Sequence, residues 1–116
     1  MPNLTESFEN VRRSALVLHP KEPFMDWIKR VEPGIQLQEP NLEGDVYLLP
    51  DFEEQEDMRR WLSKKYDLLF SDQLTNWFAN ESVWPQKRTF SMFQDWFSFS
   101  FHTMVWDTLE SPLDKD

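Results

Sequence analysis

"KRTFSMFQDWFSFSFHTMVWD", residues 87–107, carries seven aromatic side chains in twenty-one positions, and the way it divides decides the fold. Phe90, Phe93 and Phe97 fall at helical spacing behind Thr89, a residue type that caps helix N-termini well. From Phe97 onward the period changes. Phe97, Phe99, Phe101, Thr103 and Val105 alternate with Ser98, Ser100, His102, Met104 and Trp106, the two-residue repeat of a strand with one apolar and one mixed face. The spacing of Phe97, Phe101 and Met104 would also suit a continuing helix, but the β-branched and aromatic bias favours a strand. The stretch therefore predicts a helix and then a strand over about 98–107, with the phenylalanines turned mainly to a core. Met104 and Trp106 lie on the mixed face, where no core accounts for them.

Two shorter runs upstream read as buried strands, each closed by proline: "SALVLHP" (14–20) and "DVYLLP" (45–50). After the first, Pro23 suits a helix's first turn, and Phe24, Trp27, Ile28 and Val31 form a stripe that stops before Pro33-Gly34. After the second, Asp51 suits an N-cap with Glu54 at the third helical position. Glu53, Glu56 and Asp57 would complement the dipole of a helix running through Met58, Trp61 and Leu62. A break is expected near Tyr66-Asp67, then a further helix through Leu69, Leu74, Trp77 and Phe78 that ends in the polar loop 79–88. Two strand-then-helix units imply a parallel pair joined by a right-handed crossover.

The expected fold is thus α/β: a small three-stranded, mostly parallel sheet near 14–19, 45–49 and 98–107, covered by four to five helices. The direction of the third strand is open. The expected boundaries are an N-terminal helix or flexible arm over 1–13, a single domain over 14–110 and a flexible tail over 111–116. The helix in the arm rests on Leu4, Phe8 and Val11 at helical spacing, with Asn3 and Glu6 placed as a capping box.

A chain of 116 residues is long enough to bury roughly two-thirds of its unfolded surface without disulfide or metal. It has no cysteine, which rules out thiol chemistry and Cys-based zinc sites. The N-terminal residues lack the basic and apolar regions of a signal peptide, and no apolar run approaches the ~20 residues of a membrane span, so a cytoplasmic protein is expected. The formal net charge is −9, and its excess is local. Between Arg30 and Arg59 there is no basic residue and there are nine acids, while the rest of the chain is neutral. Nucleic-acid phosphates would repel such a chain; a basic protein would be attracted to it. The plainer reading of the acids is a solvated face that aids solubility.

Sequence-level chemistry is sparse. His19, Asp51 and Asp107 fall at the ends of the three expected strands, where an open parallel sheet binds ligands, and together they could serve acid–base catalysis or hold a divalent metal. Each also has an ordinary structural use, and Pro20 and Pro50 remove amide donors that a phosphate loop needs. No cofactor and no metal site are expected, since two histidines without recognised spacing do not make one. Of six tryptophans, Trp27, Trp61 and Trp77 sit on helical stripes and read as core. Trp84 stands in a polar loop beside Lys87 and Arg88, either packed back as an anchor or exposed for binding.

"ALVLHPKEPFMDWI", "VYLLPDFEE" and the segment from "WPQKRTF" to "FHTMVWD" together resemble a family of small bacterial proteins of about this length, to which no function is assigned. The resemblance spans residues 14–109 and implies a single α/β domain, with no activity, cofactor or partner to carry over. The function expected from the residues is a non-enzymatic cytoplasmic protein-binding module, one form of it an inhibitor or immunity-type protein for a basic toxin or nuclease. Its contact residues would be Asp51, Glu53, Glu54, Glu56, Asp57, Trp84, Met104 and Trp106. Self-association through strand 98–107 is a further expectation, and binding to nucleic acid or membrane is not expected. The alternative is a small enzyme or ligand-binding protein that uses polar residues at the strand C-terminal ends.

Overall fold

The structure, a computed structural model, describes residues 8–37 and 43–115. Its order is β1 (Glu9–Val11), β2 (Ser14–Pro20), α1 (Glu22–Val31), β3 (Asp45–Leu49), α2 (Gln55–Trp77), a 3₁₀ turn (Glu81–Val83), α3 (Phe90–Trp96), β4 (Phe97–His102) and β5 (Val105–Asp107). One sheet has the order β3-β2-β4 and a second pairs β1 with β5, and every pairing is antiparallel.

The expected parallel sheet is therefore wrong. Leu18 of β2 lies opposite Asp45 of β3, so β3 begins at the end where β2 stops. A parallel crossover would have delivered the chain to the other end. Thirteen residues separate α1 from β3, enough chain to come back to that end, and a strand-helix-strand order does not reveal their path. The helix count is also lower than expected, with three α-helices among the described residues. The break expected at Tyr66-Asp67 does not occur. Residues 55–77 contain neither Gly nor Pro, and Met58, Leu62, Leu69, Phe70 and Leu74 keep one buried stripe along all of α2.

Helix α2 starts later than its acidic sequence suggests. The Phe52 amide donates to Ser14 Oγ at 3.0 Å, and the Ser14 hydroxyl donates to the Phe52 carbonyl at 3.3 Å. This exchange ties the segment to β2 and keeps it out of the helix. The N-cap is Glu54, without a side-chain bond, so Asp51 caps nothing. At α3 the cap is the expected one: Thr89 accepts from the Met92 amide at 3.1 Å. Helix α3 then passes directly into β4 at Phe97.

All three helices cover one face of the three-stranded sheet. Leu16, Leu18, Leu49, Phe97 and Phe101 from the strands join Phe24, Trp27, Ile28, Leu62, Phe70, Phe93 and Trp96 in one buried cluster. Within it Phe97 packs on a ring from each of the three helices, with centroids 4.9 Å from Phe24, 5.1 Å from Phe93 and 5.6 Å from Phe70. Such offset and edge contacts add to the burial of each ring.

The strand expected over 98–107 is split. Ala15 pairs with His102 and Val11 with Val105, so three residues of the first strand (12–14) face two of the second (103–104). One extra residue is the mark of a β-bulge, which bends and twists a ribbon. β1 and β5 then continue past the bulge as a two-stranded ribbon and pack chiefly on each other. Glu9–Val11 is thus strand where a helix or a flexible arm was expected; the earlier part of that helix, residues 4–7, lies outside the described residues.

Candidate partner-binding surface

The ribbon presents one of its faces to solvent. Asn10 is the cross-strand partner of Trp106, which places both on the same side, and Asn10 Nδ2 reaches Met104 Sδ at 3.9 Å. Trp106 is 52 % exposed and Met104 58 % exposed, whereas Val11 and Val105 on the opposite side are half-buried. An exposed tryptophan beside an exposed methionine is the kind of large, adaptable apolar area that protein contacts use.

The acidic turn between β3 and α2, residues 50–54, lies at the same end of the molecule. Ser14, next to the bulge, holds Phe52, and Gln55 at the start of α2 donates through Nε2 to the Phe101 carbonyl at 3.1 Å. The Arg59 guanidinium sits 5.5 Å from the Phe101 ring centroid. Arg60 pairs with both Glu56 and Asp57. Asp51, Glu53 and Glu54 have no ion-pair partner among the described residues and are exposed. A groove of about 430 Å³ opens beside the turn, lined by Phe52, Asp57, Arg60, Trp61 and Lys64.

Trp84 does not belong to this surface. It is 8 % exposed, its Nε1 donates to the Phe78 carbonyl at 2.8 Å, and Arg88 lies 5.7 Å from its ring centroid. Arg88 also holds Asp67 through two bonds, at 2.7 and 3.2 Å, and the Pro85 carbonyl at 2.8 Å. The loop is closed on itself, and Trp84 is the anchor that closes it.

The His19, Asp51 and Asp107 set is not brought together. In the antiparallel register His19 lies level with Gly44, before β3, whereas Asp51 follows the end of β3. Five residues of strand from Gly44 to Leu49 already span about 16 Å, too far for two groups to share one proton transfer. Asp107 sits at the tip of the ribbon, where its Oδ1 accepts from the Leu109 amide at 2.9 Å. Among the described residues no group of three or more His, Asp and Glu side chains could hold a metal ion.

A different polar group is assembled where β3 meets α2. Gln73, buried at 6 % exposure, donates to Asp45 Oδ2 at 2.6 Å and to the Tyr47 hydroxyl at 2.8 Å, and Tyr47 donates to Asp72 Oδ2 at 2.7 Å. Burial first, then the bond to the Asp72 carboxylate, pushes the Tyr47 phenol above the ordinary tyrosine range. Its members satisfy one another, and together they pin the edge strand β3 to α2.

Sequence reasoning did not find the outward exposure of Val46 and Leu48 or the pairing of β1 with β5. One signal was present. "VYLL" is apolar at every position, so a strand made from it places apolar residues on both of its faces.

No protein-family model, no curated protein and no solved structure matches this chain.

Proposed function

We propose that the chain is a non-enzymatic protein-binding module whose contact surface is the end formed by the ribbon and the acidic turn, acting on a basic partner in the cytoplasm. The observation that carries this reading is the ribbon itself: a two-stranded extension beyond the core, with Trp106 and Met104 open on one face. A paired strand that projects from the core contributes little to stability unless something packs on it. The surroundings match the anatomy of a contact patch, with apolar residues at its centre and charged ones around it. Asp51, Glu53 and Glu54 would steer a basic protein, since no arginine neutralises them. In its sharpest form the module is an inhibitor or immunity-type protein that blocks a basic toxin or nuclease. Among the described residues no helix is long and apolar enough to cross a membrane.

The test is affinity capture from bacterial lysate at low and moderate salt, followed by association kinetics with the purified captured protein. Wild type is compared with the triple variant Asp51→Asn, Glu53→Gln, Glu54→Gln. A basic protein should be retained, should be lost in salt, and should associate at least tenfold more slowly with the variant. An association rate that neither salt nor the variant changes would contradict the acidic-steering reading.

A further inference from the structure

The helices fill one face of the β3-β2-β4 sheet, and among the described residues no helix covers the other. Val46 is 64 % exposed and Leu48 46 % exposed. The register sets Val46 beside Val17 and Leu48 beside Ala15, so an apolar strip crosses β3 and β2 on the outer side. None of these four residues belongs to the buried core cluster. β4 completes the face with Ser98, Ser100 and His102, opposite His19, Val17 and Ala15.

We infer that this face joins two copies of the chain in a two-fold dimer, packed sheet on sheet. Charge selects a second copy as the occupant. The chain carries a formal −9, so two copies repel wherever carboxylates face each other. None of the eight outward positions on these three strands is Asp or Glu, although the chain contains 21 such residues. The basic partner proposed for the ribbon end would find no complementary charge here. A two-fold axis requires a self-complementary patch, and this one has protrusions and hollows. Val46 and Leu48 stand out from β3, while Ala15 is small and lies low between its neighbours at 6 % exposure. Aligned sheets about 10 Å apart place Leu48 of each copy over the Ala15 region of the other.

The area fits a modest dimer. Three strands about 4.8 Å apart and about six residues long make a plane of roughly 300 Å². Side-chain relief raises this to on the order of 500–600 Å² of accessible surface per copy, at the lower end of specific interfaces. An interface this small is expected to be weak, so the dimer exchanges with monomer on dilution.

Sedimentation equilibrium from low micromolar to several hundred micromolar protein tests this. Wild type should pass from monomer to dimer across that range. The double variant Val46→Lys, Leu48→Lys should stay monomeric throughout. The milder Leu48→Thr, in case two lysines disturb β3, should dimerise at least tenfold more weakly. Leu68→Lys, at an equally exposed site on α2 (63 %), should dimerise like wild type. Near-ultraviolet circular dichroism confirms that each variant keeps its tertiary packing. A wild type that is monomeric at the highest concentration, or folded Leu48 variants that dimerise as wild type does, would overturn the inference.

Discussion

Gly44 and Gly34 show how much a single position can matter where the backbone turns. Both have positive φ, +94° and +92°, but their surroundings differ. A Cβ at Gly44 would lie 2.6 Å from the Leu18 carbonyl oxygen and 2.6 Å from His19 Nδ1, while one at Gly34 would meet nothing within 4 Å among the described residues. Gly34→Ala should therefore lose about 1 kcal/mol, the cost of the left-handed conformation alone. Gly44→Ala should lose roughly 3 kcal/mol or more, because backbone at the β2–β3 pairing must also shift. Urea unfolding of the two variants measures the gap. Tyr47 gives a second prediction at this scale. Its phenol is held above the ordinary range by burial and by Asp72, so the folded state retains a proton that the unfolded state releases from about pH 10 upward. The stability that depends on this proton is complete below about pH 10 and is lost as pH rises further. Wild type should lose stability above that pH more steeply than Tyr47→Phe; parallel slopes would contradict the assignment.

The elements differ in how legible they were. The helix-to-strand change at Phe97 could be read because both periodicities meet at that residue, and the short runs at 14–20 and 45–49 could be read because proline ends them. Pairing direction could not be read, because it depends on where the chain between α1 and β3 returns, and no local pattern encodes that path. The late start of α2 was hidden for a similar reason. Asp51 satisfies every local rule for a cap, yet the bonds between Ser14 and Phe52 come from residues 38 positions away and override it. The split of 98–107 follows from one extra residue on the opposite strand, which periodicity within 98–107 does not contain. The element-scale prediction contrasts the two halves of this long strand. Phe97→Ala should destabilise by about 3–5 kcal/mol, since Phe97 is fully enclosed and touches three other rings. Trp106→Ala should cost under about 1 kcal/mol, as its side chain is half in solvent already.

At the scale of the whole molecule, the acids and the outward aromatics of the sequence acquire different meanings. Trp84 proves to be an internal anchor, and Glu56 and Asp57 are held by Arg60. What remains of the expected contact set, Asp51, Glu53, Glu54, Met104 and Trp106, gathers at one end, far from the loop that Trp84 closes. That gathering was invisible in the sequence, where these residues lie some 50 positions apart and only the antiparallel pairing with the bulge unites them. The candidate acid–base set fails for the same reason: antiparallel strands send His19 and Asp51 to opposite ends. The central claim is that the ribbon end is the contact surface, and calorimetric titration of Trp106→Ala with the captured partner tests it most directly. The account predicts a folded variant that binds at least tenfold more weakly, as expected when an aromatic anchor at the centre of an interface is removed. An affinity equal to that of wild type would contradict it.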